Sequence, residues 1–255
     1  MRFRIPKQLP RLRVHGSCSC IIFHVASRSG NPWASLDEAP PYIAVADRSI
    51  LDDEHRRKYR LRCDVLPHAW LGNPRSAHAI LLHLNPGFSE RDVDDEVHIP
   101  EYRKTVRLNL SLENRTSFWA LDPKLASTSA ACWWRPKLRP LACGLGPSGW
   151  QLIQRRLAVV EYFPYHSVRY RWPPRLPSQE FGFDLVRLGL ARGATVLVMR
   201  QWESWRAAVP ELIDHPRVLL NPHPRQPTIS EANLGTEIFR RLVTSIRMPR
   251  RRDLT

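Results

Sequence analysis

The chain has 255 residues, 43% of them hydrophobic, enough for a sizeable core in one large domain or two small ones. No apolar run approaches the ~18–20 residues that a membrane-spanning helix needs, and the stretch Cys20–Ala26 is short and interrupted by His24, so a soluble protein without a membrane partner is expected. The formal net charge is +15, but it is unevenly spread. Residues 1–30 hold six cations and no acid, and residues 247–255 hold four arginines against Asp253, which leaves about +6 for the body. A body of that charge favours a polyanionic partner. The five cysteines, Cys18, Cys20, Cys63, Cys132 and Cys143, are odd in number and form no CxxC pair. That spacing points away from a structural zinc or iron–sulfur site and toward reduced thiols in the cytoplasm. No metal and no cofactor are expected, and the roles of Cys132 and Cys143 stay open.

Residues 1–34 read as a basic tail, either a presequence or an over-extended start, followed by a single domain over 35–246 and a second basic tail over 247–255. Residues 31–78 are expected to wrap the sheet ahead of its first strand. Four short, continuous apolar runs then follow: AILLHL (79–84), LAVVEYF (157–163), TVLVMR (195–200) and RVLLN (217–221). Runs without alternation are the pattern of strands buried on both faces. Between the first two, EYRKTVRLNLSL (101–112) reads as helix, whereas SFWALDPKLASTSAACWWRPKL (117–138) reads as a long aromatic loop. Ser178 is a plausible cap for a helix with Phe181, Leu185, Leu188 and Leu190 on one face, ending at Gly193. ESWRAAVPELI (203–213) reads as a short helix broken near Pro210, and Ser230 caps a last helix carrying Leu234, Ile238, Leu242 and Ile246. Strand and helix in alternation predict a parallel sheet with helices on both faces.

Ligands of open parallel sheets bind beyond the carboxyl ends of the strands. The residues that follow each run are therefore the informative ones: Asn85-Pro86-Gly87-Phe88-Ser89, then Glu161 through Ser167, then Arg200-Gln201-Trp202, then Asn221 through Ser230. Two amides, a carboxylate, two imidazoles and several aromatics are predicted to share one rim.

The turn in ILLHLNPGFS (80–89) resembles the first motif of the uracil-DNA glycosylase superfamily, closest to its mismatch-specific branch, and LLNPHPRQPTIS (219–230) is similar to the second. The resemblance spans about residues 65–246 but is carried by these short turns. It implies a three-layer α/β/α domain with a four-stranded parallel sheet in the order 2-1-3-4, a monomer acting on single- or double-stranded DNA, and base-excision repair by base flipping. It further implies catalytic roles for Asn85, which orients the attacking water, and for His223, as an acid or electrophile. Gly87, Phe88, Glu161 and His166 would form the base site, and Asn221, Pro222, Arg225, Thr228 and Ser230 would meet the DNA, partly through phosphates at the start of the last helix.

The chain departs from the family pattern in three places. His83 stands where the first motif usually opens with glycine, the second motif carries an insertion around HPRQ, and Glu161 replaces the base-reading asparagine. An ionised glutamate accepts but cannot donate. It therefore suits a base with an amino group on its pairing edge, or must itself be protonated to read uracil. Plainer readings stand beside these: a ligand-free turn at Asn85, a Glu161 paired to an arginine, loop histidines at 166 and 223, and packing tryptophans at 133, 134, 202 and 205. WWRPKLRP (133–140) is either part of that packing or an aromatic-basic strip for unpaired bases. The functional expectation is a monofunctional DNA N-glycosylase. The alternatives are an inactive nucleic-acid-binding module of the same fold and an N-glycosidic hydrolase of free nucleosides or nucleotides.

Overall fold

Seven strands and nine α-helices make up the computed structural model over its described residues, 30–112 and 117–248. The expectations for residues 1–29 and 249–255, including Cys18 and Cys20, lie outside them. The four apolar runs form strands β3 (Ala79–His83), β4 (Leu157–Glu161), β6 (Thr195–Val198) and β7 (Val218–Leu220). They pair in the order β4-β3-β6-β7, parallel throughout. The sheet is nonetheless mixed and five-stranded, because β2 (Trp70–Leu71) adds to β4 antiparallel. The expected sheet of four parallel strands is corrected on that point. A two-residue strand has no periodicity to read. Trp70 is fixed there by its indole N–H, which donates to the Asn109 carbonyl at 2.8 Å, while the Asn109 amide donates to Gly72 O at 2.7 Å.

Every residue of β3, β4 and β6 is buried, whereas edge strand β7 leaves Leu220 43% exposed. The helices are α1 (Asp53–Tyr59), α2 (Glu90–His98), α3 (Pro100–Ser111), α4 (Ser129–Leu145), α5 (Gly149–Arg156), α6 (Gln179–Ala191), α7 (Trp202–Ala208), α8 (Glu231–Leu234) and α9 (Thr236–Arg247). Side chains alternate faces along a strand, so β3 shows which helices lie where. Ile80 meets Gly189 of α6, and His83 packs on Trp134 of α4, three residues along and on the other face. Helices therefore cover both faces. A small second sheet joins β1 (Leu61–Arg62) to β5 (His166–Ser167) antiparallel.

Helix α4 replaces the loop expected across 117–138 from Ser129 onward. Pro136 and Pro140 argue against a helix in the sequence, since each removes an N–H and frees a carbonyl one turn back. In the fold Pro136 is exposed and Pro140 half-buried, so water can satisfy what the backbone loses. The opposite face, Ala131, Trp134, Leu138, Leu141, Ala142 and Leu145, is buried at helical spacing, and Thr128 Oγ1 accepts from Ala131 N to cap it. Ser178 precedes α6 but does not cap it with its side chain. Its N–H instead donates to Asp47 Oδ1 at 3.0 Å. Ser230 does cap, accepting from Asn233 N, but the last helix is interrupted at Gly235 (φ +80°), giving α8 and α9. The domain also starts earlier than 35: Trp33 is in the core against Tyr165, and Asn31 donates to Leu110 O at 2.7 Å.

The crossing of α4 and α5 allows no side chain at Gly149, where an added Cβ would stand 2.0 Å from Ala142 O. Helix propensity alone predicts that Gly149→Ala stabilises by up to ~1 kcal/mol. The close approach predicts the opposite, a loss of about 1–3 kcal/mol from forced separation of the helices. Urea unfolding of the variant distinguishes the two by sign.

Candidate functional site

The Asn85 turn is anchored from β5. The Asn85 side-chain amide donates to Ser167 Oγ at 2.8 Å and to Pro86 O at 2.7 Å. Ser167 N donates back to Pro86 O at 3.4 Å, and His166 Nδ1 meets Gly87 O at 2.6 Å. With both amide hydrogens engaged, Oδ1 of the half-buried Asn85 is left as an acceptor without a partner among the described residues. The backbone behind the turn is equally fixed: Tyr162 N donates to His83 O and Phe163 N to Leu84 O, and Trp205 Nε1 adds a bond of 3.0 Å to His83 O.

Parallel register pairs His83 with Glu161, which puts both side chains on the α4 face at the carboxyl end of the two strands. Trp134 and Trp133 stand over His83 with ring centroids at 5.2 and 6.2 Å. Glu161 is buried to 7% exposure, with neither a hydrogen bond nor an ion pair among the described residues. Arg200, just past β6, is near enough to act on both groups through charge without bonding to either. Loss of hydration holds the His83 imidazole down to about 3, and Arg200 pushes the same way. Loss of hydration lifts the Glu161 carboxyl up to about 8, partly opposed by Arg200. Near neutral pH the pair is therefore an uncharged imidazole beside a protonated carboxyl.

Three buried polar atoms at this end of the sheet, His83 Nε2, Glu161 Oε2 and Arg200 Nε, have no hydrogen-bond partner among the described residues. Each such atom costs about 1–3 kcal/mol, so a group of them in one place marks a site built for something other than stability. A protonated carboxyl carries one donor and one acceptor, the same complement as an amide.

The other predicted residues divide. His166 belongs to a second buried cluster behind the turn: its ring meets that of His68 at 4.5 Å, and His68 Nε2 meets Tyr102 Oη at 3.1 Å. Burial lowers His166 and drives His68 well below its ordinary value, with Asp92 partly opposing at His166. His166 thus supports the turn from below. Gly87 is exposed at its crest. Phe88 is half-buried, but the Arg62 guanidinium already covers its ring at 3.8 Å. In the second motif, Asn221 is buried and faces inward. Its amide donates to Met199 O, His223 O and Gln226 O, and its Oδ1 accepts from His223 N. That side chain folds the loop and has no atom left for a phosphate. Pro222, His223 and Arg225 are exposed, Thr228 and Ser230 half-buried, and Ser230 Oγ is taken by the α8 cap. Sequence reasoning missed Ser167, the tryptophan roof over His83, and Arg62 on Phe88. None of these leaves a local trace in the sequence: Ser167 lies in a two-residue strand, and the other two are contacts between residues distant along the chain.

Among the described residues no His, Cys, Asp or Glu group is arranged to hold a metal ion, and no helix is long and apolar enough to cross a membrane. Cys63 is buried, which pushes its thiol up to about 12, and Cys132 and Cys143 are exposed free thiols. No family model, curated relative or solved structure matches the chain.

Glu161 makes stability depend on pH in a definite direction. Its folded-state affinity for the proton exceeds the unfolded one, so the contribution is full below pH 4.5 and is lost as pH rises toward 8. Glu161→Gln removes that dependence. Relative to the wild type it should gain stability steadily between pH 4.5 and 8, by on the order of a few kcal/mol. Thermal unfolding of both proteins across that range checks it, and parallel curves would show an ordinary carboxylate.

Proposed function

We propose that the chain is a DNA N-glycosylase of the uracil-DNA glycosylase type, with the three-layer α/β/α arrangement in which the four parallel strands keep the order 2-1-3-4 and β2 is an added edge. The observation that carries the reading is the pairing of a clamped Asn85 amide with an uncharged Glu161 at the ends of adjacent strands. Oδ1 of Asn85 accepts a hydrogen from water and turns an oxygen lone pair toward the sugar's anomeric carbon. The C–N bond breaks with oxocarbenium character, water's oxygen takes the base's place on the sugar, and the base departs as an anion that then takes up a proton. Protonated Glu161 donates to a carbonyl of the base and accepts from the neighbouring ring N–H. The donated bond strengthens as charge gathers on the departing base. This complement suits a lactam edge, as in uracil, hypoxanthine or xanthine, and resolves the difficulty that an ionised glutamate presents.

A second reading, a binding module without catalysis, is favoured by two observations: the Asn221 amide is committed to its own loop, and Arg62 occupies a face of Phe88. The experiment that separates them incubates the full chain with labelled oligonucleotides carrying uracil, hypoxanthine, xanthine, mismatched thymine or an alkylated base, followed by hot alkali. The glycosylase reading predicts strand breaks at one lactam base, reduced by roughly 100-fold or more in Asn85→Ala without loss of fold. It also predicts activity that falls as pH rises through about 8 in the wild type and persists in Glu161→Gln. Binding without breaks at any base would establish the module.

A further inference from the structure

Helix α1 and strand β1 border a groove of about 740 Å³ that belongs to neither motif. Its lining includes Arg56, Arg57, Arg60 and Arg62 against two acids, Asp53 and Asp64. Both acids are already neutralised, Asp53 by Arg56 and Asp64 by Arg62 at 2.7 Å. Arg57 and Arg60 are exposed, and neither side chain has a hydrogen-bond or ion-pair partner among the described residues. The loop after β5 extends this surface: Arg171 is exposed and reaches Lys58 O of α1 at 3.4 Å, and Trp172 beside it is 57% exposed with φ +54°. A large aromatic held out to solvent on a left-handed residue is costly in isolation, since that backbone favours glycine.

The groove is joined to the Asn85 turn through two steps of backbone pairing. β1 pairs with β5 (Leu61 with Ser167, Arg62 with His166), and Ser167 bridges to Gly87. At about 4.8 Å per step, the groove wall lies within about 10 Å of the turn. Arg62 spans the gap, lining the groove while its guanidinium lies on Phe88.

We propose that this groove is the track for an unpaired nucleic-acid strand, with phosphates on Arg57, Arg60 and Arg171, a base stacked on Trp172, and the strand directed toward the Asn85 turn. Unpaired cations supply attraction for the backbone, and an exposed ring supplies a platform that every base can use but a paired duplex withholds. Only the direction of the strand rests on the glycosylase reading; the track itself does not.

The test measures binding of fluorescein-labelled oligo-dT, a hairpin duplex of equal length and polyglutamate to the full chain across a salt series. Arg57→Gln/Arg60→Asn/Arg171→Gln keeps helix propensity at 57 and suits the left-handed backbone at Arg60 (φ 53°). It should weaken oligo-dT binding by roughly tenfold or more and lower the slope of log affinity against log salt by about 2. Trp172→Gly, which relaxes the backbone, should weaken oligo-dT by roughly tenfold and leave polyglutamate unchanged. Circular dichroism confirms that both variants fold. Oligo-dT binding that is absent in the wild type, or identical in affinity and slope in the variants, overturns the proposal, as does equal dependence of the duplex on these residues. The series is repeated in Asn85→Ala, which removes any excision of thymine, so failure of the glycosylase reading leaves this result readable.

Discussion

The in-register parallel pairing of β3 with β4 is the constraint on which the rest of the site depends. Two fully buried strands of five residues each begin and end in register, so the chain must leave the core twice at the same depth. Buried backbone groups need partners, and Tyr162 and Phe163 N–H groups bind the His83 and Leu84 carbonyls just where the strands stop. That stitching fixes the first residues of both turns. It also sets an imidazole and a carboxyl side by side in a place too dry for either to carry charge near neutral pH.

From this follows a division of labour. The backbone and Ser167 hold Asn85, so its amide needs no ligand to be oriented. Burial, rather than a partner, keeps Glu161 protonated, and for that reason its donor and acceptor remain available. An ion pair with Arg200 would have stabilised the fold more simply and given a carboxylate with no hydrogen to donate. The structure carries the cost of leaving that pair unmade, and buried groups perturbed in this way cluster at functional sites.

Sequence reading reached the strands because burial on both faces writes an unbroken apolar run, and it placed Asn85 and Glu161 at the strand ends because they close such runs. It failed wherever the decisive partner was distant or the element too short. Strands β1, β2 and β5 have two residues each, so neither the clamp from Ser167 nor the antiparallel edge leaves a periodic trace. Helix α4 was hidden by Pro136 and Pro140, whose effect depends on which face they occupy, and a composition reading cannot see faces. Asn221 shows the converse error. An amide at a strand end has the look of a ligand group, yet its side chain closes its own loop. Two amides in equivalent positions thus differ in what they leave open: Asn85 keeps its Oδ1 without a partner among the described residues, whereas both ends of the Asn221 amide are engaged.

The most direct measurement is of the Glu161 proton itself. An infrared difference spectrum between the wild type and Glu161→Gln isolates this carboxyl from the other buried acids, Asp47 and Glu96 among them. The account predicts a protonated carboxyl C=O stretch at pH 7 that gives way to carboxylate bands with a midpoint near 8. A carboxylate signal already complete at pH 6 would contradict it, and with it the donor–acceptor reading of the site.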